Sequence, residues 1–370
     1  MTHVPGQLQK VVLAGGGTGG HVTPALALAD AFRAQVPGCE VLFIGTPQGL
    51  ESTLVPRRGW RMETVPGSRL VGAGLAVKVR GSRDLLRGIL AARKILQREK
   101  PNLVVGVGGY ASGATLLAAR SLGIPTAVHE SNAVPGLTNR VLGLLVDRVY
   151  LGFAAAKNDF PRDNLLVSGN PVRPEIRALG ADRHFATNRP LHILVVGGSQ
   201  GSEFLNEHAP GLIASLRESG LELEVRHQVG KLDPLPVAAR YEAEKLSHTI
   251  ETFIDDMAAA YAWADFAITR SGSGTVAELA AAGLPALLVP FPFAAGDHQA
   301  ANAKAFADAG AGTWVRQADW HEARLAHAVR EFLAHSSVWQ AASTAARQMA
   351  GSDAATLVVQ DCQEWLESRG

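Results

Sequence analysis

The sequence predicts an α/β protein of two similar lobes, each a parallel sheet with helices on both faces. Three observations point there. Its 370 residues exceed what one core usually supports, so two domains of roughly 180 residues each are expected. Short β-rich apolar runs alternate with longer helical patterns, as βαβ units require. The same device also occurs twice, half the chain apart: a buried strand running into a glycine turn that opens a helix. It stands first in KVVLAGGGTGGHVTPALALADAF (10–32) and again in LHILVVGGSQGSEFLNEHAP (191–210). Such a turn lets backbone N–H groups approach an anion, and the helix N-terminus adds partial positive charge.

In chain order, the strands of the first half are expected at 10–14, 40–44, 103–107, 125–129 and 148–151. Those of the second half are expected at 191–196, 222–227, 249–253, 265–269 and 285–289. Runs such as LHILVV and PALLVP show no polar alternation, which suits parallel strands covered on both faces. The segment SGNPVRPEIRALG (168–180) holds two prolines and two glycines and reads as a linker. Domains are thus expected over 1–167 and 191–352, joined by 168–190. A C-terminal helix follows over 353–370, and nothing in the sequence says where it packs.

Composition narrows the function classes. A net charge of +1 argues against nucleic acid as the main partner, since phosphate binding needs a basic excess. Two cysteines, Cys39 and Cys362, do not make a disulfide framework and suit a reducing compartment. No targeting segment is expected at the N-terminus, because only Val11 to Ala14 separate Lys10 from the glycines. The longest uncharged stretch, residues 103–119, is broken by glycines and Ser112, and reads as strand, turn and buried helix.

GGGTGG at 15–20 satisfies the dinucleotide fingerprint G-x-G-x-x-G, but that site also needs an acidic residue at the end of the next strand. Here VLFIG ends in Thr46 and Pro47, and Glu51 lies beyond it, so NAD or FAD is not expected. A third glycine turn, GVGGYASG (106–113), would open on the same sheet edge. Tight packing alone could also call for any one of these turns. His21 follows the first turn directly, where a helix N-terminus favours the neutral imidazole a general base needs. The densest stretch is 264–303. There SGSGT (271–275) opens a helix, and Glu278 lies one turn in, placed to accept from a ribose diol or simply to complement the helix dipole. Asp297, His298, Gln299 and Asn302 follow, a set suited to sugar hydroxyls. No Asp-x-Asp pair and no His/Cys cluster has metal-ligand spacing, so helix N-termini are expected to neutralise any diphosphate.

Seven ordered motifs, GGGTGGHVTPALALA, GVGGYASG, HESNAVPGLTNR, GNPVRPEI, VVGGSQGS, FIDDMAAAYAWAD and RSGSGTVAELAAAGLPALLVPFPFAAGDHQAANA, together resemble the MurG family, the peptidoglycan N-acetylglucosaminyltransferases. The resemblance implies a GT-B fold: two Rossmann-like domains facing a central cleft, acceptor in the first and donor in the second. It implies inverting, metal-independent and cofactor-free transfer of N-acetylglucosamine from UDP to the C4 hydroxyl of undecaprenyl-linked lipid I, giving lipid II. By position, Ile254 would contact uracil through its backbone, Glu278 the ribose, and Ser199 with Ser273, Gly274 and Thr275 the diphosphate, with Val276 and Ala277 also in the UDP-N-acetylglucosamine site. Gln299 would read the donor sugar, with Arg173 and Asn132 beneath it, and Thr18, Gly19 and Gly20 would close the site from the first lobe. His21 becomes the candidate base, and Tyr110 and Glu130 candidate acceptor contacts. Ser131 stands where the family often has Gln. An epimerase, a transferase acting on a soluble acceptor, or a nucleotide-sugar sensor are the competing readings.

A lipid-linked acceptor implies work at the cytoplasmic face of the inner membrane, peripherally, with cell-wall synthesis and division proteins as possible partners. Residues 69–98 carry eight basic residues (Arg69, Lys78, Arg80, Arg83, Arg87, Arg93, Lys94, Arg98) against Asp84, among leucines and valines. This suits an anionic membrane surface, and equally an ordinary amphipathic helix on the sheet.

Overall fold

A computed structural model describes residues 8–17, 19–67, 75–161, 163–185, 188–198 and 200–369, with 19 and 75–80 described by backbone alone. The chain divides into two compact units, Met1–Val172 with Ser352–Gly370, and Arg173–Gly351. The first runs β1 (Lys10–Gly15), α1 (Gly19–Gln35), β2 (Glu40–Gly45), α2 (Glu51–Arg57), β3 (Arg61–Thr64), α3 (Leu75–Glu99), β4 (Leu103–Gly108), α4 (Tyr110–Ser121), β5 (Thr126–Glu130), α5 (Leu137–Gly143), β6 (Arg148–Leu151) and β7 (Leu165–Val167). The second runs α6 (Pro174–Ala178), β8 (Leu191–Val196), α7 (Glu203–Glu218), β9 (Leu223–Gln228), α8 (Leu235–Ala243), β10 (Ser247–Glu251), α9 (Met257–Trp263), β11 (Phe266–Thr269), α10 (Ser273–Ala282), β12 (Ala286–Leu288), α11 (His298–Asp308), β13 (Gly312–Trp314), α12 (Glu322–Ala334) and α13 (Ser336–Ala350). The last helix, α14 (Ala354–Glu367), returns to the first unit. The segment read as linker divides at Val172/Arg173.

The first sheet has strand order β3-β2-β1-β4-β5-β6-β7 and the second β10-β9-β8-β11-β12-β13, with every pairing parallel. Alternation along β1 shows why its run is wholly apolar. Val11 and Leu13 join α1 and α14 in one core, while Val12 and Ala14 join α3, α4 and α5 in another. In the second unit, Ile193 and Val195 pack with Leu205, Leu212, Tyr241, Val329 and Trp339.

Three strands were not expected from the sequence: β3, β7 and β13. All are edge strands of three or four residues, none with a fully buried residue. β3 and β13 lack the apolar run that marks a central strand, and β7 is apolar but only three residues long.

Helix α14 packs on α1, its Val358, Val359, Cys362, Trp365 and Leu366 buried in the same core as Leu13 and Phe32. Gln35 Nε2 donates to Thr356 Oγ1 (2.9 Å), and the buried Tyr150 hydroxyl donates to Asp361 Oδ2 (2.8 Å).

Candidate active site

Both sheets place their first strand centrally, and the next connections run to opposite sides of it. Doubly wound sheets bind ligands outside the strand C-termini at that switch. In the first unit the switch lies between β1 and β4, which carry GGGTGGH and GVGGYASG. In the second it lies between β8 and β11, which carry GGSQGS and SGSGT.

The two glycine turns of the first unit are packed backbone on backbone. Gly16 N–H donates to the Gly108 carbonyl (3.3 Å), and a Cβ on Gly109 would fall 2.5 Å from the Gly16 carbonyl oxygen. Gly19 and Gly20 open α1, and His21 follows, half-buried. Its Nδ1 lies 3.2 Å from the Gly16 carbonyl oxygen. A carbonyl only accepts, so Nδ1 carries the proton and, in the neutral ring, Nε2 is the unprotonated nitrogen.

Glu51 lies beyond β2, at the start of α2, but its side chain reaches back into the first glycine turn. It is 2% exposed. Its Oε2 accepts from Gly17 N–H (2.7 Å), and its Oε1 accepts from Thr46 N–H and Thr46 Oγ1–H (both 2.9 Å). The sequence marked this residue only as too late for a ribose contact.

In the HESN loop, Glu130 accepts four hydrogen bonds. Its Oε1 takes Asn132 N–H (2.8 Å) and Asn132 Nδ2 (3.1 Å), and its Oε2 takes Gly136 N–H (3.1 Å) and Asn139 Nδ2 (3.0 Å). The carboxylate thus ties its own loop together. His129, fully buried, donates from Nε2 to the Gly169 carbonyl (3.2 Å) and accepts from Ser131 Oγ at Nδ1 (3.2 Å). Burial, above all, lowers its pKa to about 4, so it stays neutral. Ser131 therefore has a defined partner here. Tyr110 begins α4, and its ring packs where a Cβ on Gly67 would fall 2.3 Å away; burial, then Asp84, pushes its phenol pKa up.

In the second unit, Ser273, Gly274 and Thr275 form the first turn of α10, with Gly272 as N-cap and no side-chain cap. Their N–H groups have no intrahelical acceptor, the arrangement by which a helix N-terminus can take an anion. Val276 is buried beneath them and Ala277 half-buried. Glu278 is buried. Its Oε2 accepts from the Tyr261 hydroxyl (3.0 Å), and its Oε1 lies 3.6 Å from the Arg173 guanidinium. Burial raises its pKa, opposed by Arg173 and Tyr261. Arg173 also reaches Glu175 (3.5 Å). Gln299 is oriented by Phe291 N–H, which donates to its Oε1 (2.9 Å), so Nε2 is the end left to donate outward. Ser271 Oγ donates to the Gln299 carbonyl (2.8 Å), and buried Asn302 Nδ2 to the Ser271 carbonyl (3.2 Å), tying α11 to the SGSGT turn. The Ile254 side chain is buried, so any ligand contact there is through backbone.

Thr18 and Ser199 lie outside the described residues. Among the others, Gly19, Gly20, His21 and Tyr110 gather at the β1/β4 switch. Ser273 to Glu278 and Arg173 gather around the N-terminal half of α10, with Gln299 tied to it. Sequence reasoning missed Tyr261 as the partner of Glu278 and Glu51 as the partner of the first turn. In Tyr261 the only signal was a tyrosine within the FIDDMAAAYAWAD motif.

Models of the glycosyltransferase family 28 N-terminal and C-terminal domains match residues 11–151 and 192–358. A UDP-N-acetylglucosamine–N-acetylmuramyl-(pentapeptide) pyrophosphoryl-undecaprenol N-acetylglucosamine transferase from Acidithiobacillus ferrooxidans is 43% identical over 96% of this chain and 97% of its own. The crystal structure of Acinetobacter baumannii MurG is 33% identical with a TM-score of 0.77, over 96% of this chain and 99% of that one. A UDP-N-acetylglucosamine 2-epimerase structure reaches a TM-score of 0.68 over 98% of this chain and 97% of its own, at 15% identity, a likeness of fold alone.

Proposed function

The chain belongs to glycosyltransferase family 28, to its MurG transferases, and from that membership we propose how its residues carry the family's reaction. That reaction moves N-acetylglucosamine from UDP-N-acetylglucosamine to lipid I, giving lipid II. Unit 1 takes the acceptor and unit 2 the donor. His21 Nε2 removes the proton of the muramoyl C4 hydroxyl as that oxygen attacks C1 of the donor sugar. The C1–O bond to UDP breaks with its electron pair leaving on the diphosphate, so a single displacement inverts the anomeric centre. The first-turn N–H groups of α10, from Ser273 to Thr275, stabilise the departing charge without a metal. Glu278 accepts from the ribose, Ile254 meets uracil, and Gln299 Nε2 donates to the sugar.

The observation that carries this reading is the His21 Nδ1–H bond to the Gly16 carbonyl, which leaves the lone pair at Nε2. The test is labelled UDP-N-acetylglucosamine with a lipid I analogue. Transfer by the wild type and its loss by about 10²–10⁴ in His21→Ala are expected, the range a positioned base supplies. Unchanged turnover in His21→Ala would remove the histidine from this role.

Membrane contact is part of the same proposal. Among the described residues no helix is long and apolar enough to cross a membrane. The outer side of α3 exposes Leu86 (62%) and Leu90 (60%) beside Arg83, Arg87 and Lys94, and α5 exposes Leu137 (79%) and Val141 (52%). Both helices pack on α4. Basic and apolar side chains left in solvent together support peripheral docking on anionic lipid at the cytoplasmic face of the inner membrane.

A further inference from the structure

We propose that Glu51 is a positioning residue for His21, acting through the single peptide unit that joins Gly16 and Gly17. The proposal rests on the reading of His21 as the base. The N–H of that peptide donates to Glu51 Oε2 (2.7 Å), and its carbonyl accepts from His21 Nδ1 (3.2 Å). A peptide is planar, so an acceptor that fixes the N–H also fixes the direction of the carbonyl. A carboxylate at the N–H end polarises the unit and strengthens the carbonyl as an acceptor. The histidine thus receives, one peptide removed, what a buried aspartate supplies in a hydrolase triad: a set tautomer, a set ring orientation and stabilisation of the imidazolium.

The surroundings are built for this side chain. A Cβ on Gly16, Gly45 or Gly49 would fall 2.1, 2.5 or 2.0 Å from Glu51 atoms, so three glycines make room for one side chain. Gly16 also sits at φ +145°, where a side chain is strained. Thr46 holds the second carboxylate oxygen from both its N–H and its hydroxyl. In a dinucleotide turn the glycine N–H groups face a ligand phosphate. Here the chain's own carboxylate takes the Gly17 N–H, and the turn becomes a mount for His21.

Three variants test this, with His21→Ala alongside. Glu51→Gln keeps the shape and removes the charge. It is expected to lower kcat by about 10- to 100-fold, part of what a positioned base supplies, with KM for UDP-N-acetylglucosamine within about twofold. Nitrogen-15 NMR of the His21 ring should show Nδ1–H in the wild type and a mixture of tautomers in Glu51→Gln. Formate added to Glu51→Ala should refill the cage and recover turnover. Wild-type kcat and unchanged ring signals in Glu51→Gln would overturn the proposal while leaving His21 as the base. Full turnover in His21→Ala would overturn the base instead, and the ring signals then decide for Glu51 alone. Should Glu51→Gln not fold, Glu51→Asp replaces it: a shifted tautomer ratio supports the proposal and an unchanged one overturns it.

Discussion

Tyr261 matters for what it does to Glu278. A carboxylate buried in α10 is costly unless its lone pairs are taken, and the Tyr261 hydroxyl takes one of them. Burial raises the Glu278 pKa; the hydroxyl and Arg173 pull it back. Tyr261→Phe removes that donor and changes little else, so the carboxyl should hold its proton to higher pH. A protonated Glu278 is a poorer acceptor for a ribose diol. The variant is therefore expected to raise KM for UDP-N-acetylglucosamine about fivefold, ~1 kcal/mol, with kcat nearly unchanged. The low-pH limb of the KM profile should move to higher pH. An unchanged KM with an unmoved limb would separate Tyr261 from donor binding. Glu278 could be singled out in the sequence because it stands one turn after SGSGT. Tyr261 and Glu51 could not, because their partners lie 17 and 34 residues away and no local spacing rule links them.

At the scale of elements, legibility followed burial. The central strands β1, β4, β8 and β11 are mainly apolar and stand out as runs, whereas β3 and β13 lie at sheet edges and show no such run, and β7, also at an edge, offers only the three residues LLV. Helix α3 was legible as basic and apolar, but not which of its leucines would be buried. The fold decides it: Ala92, Ile95 and Leu96 go to the core, and Leu86 and Leu90 stay out. That division makes the membrane proposal testable by face. Arg83→Glu with Arg87→Glu should abolish binding to vesicles containing anionic phospholipid at low salt, and have less effect at high salt, where the charge is already screened in the wild type. Leu86→Ser with Leu90→Ser should weaken binding at all salt concentrations and leave Tm unchanged, since both side chains are already exposed. A large fall in Tm would instead mean that these leucines are packed in the fold.

At the scale of the molecule, the chain crosses from one unit to the other twice, at Val172/Arg173 and at Gly351/Ser352. The last crossing brings α14 to the core that β1 and α1 began. Five of its side chains, Val358, Val359, Cys362, Trp365 and Leu366, are buried there. At about 1.5–3 kcal/mol for each large apolar side chain, their loss approaches the whole net stability of a domain, about 5–15 kcal/mol. The loss would also leave the Tyr150 hydroxyl, buried and now bonded to Asp361, without that partner. Unit 2 has no such dependence. Arg173–Gly351 is one continuous stretch with its own sheet and core, and it contains Glu278, Tyr261, Arg173 and the α10 N-terminus. Residues 173–351 alone are therefore expected to unfold cooperatively and to bind UDP in a calorimetric titration. Residues 1–172 alone should show no cooperative transition, and adding a peptide of residues 352–370 should restore one. A cooperative transition in residues 1–172 without that peptide would show that α14 only caps a core already complete.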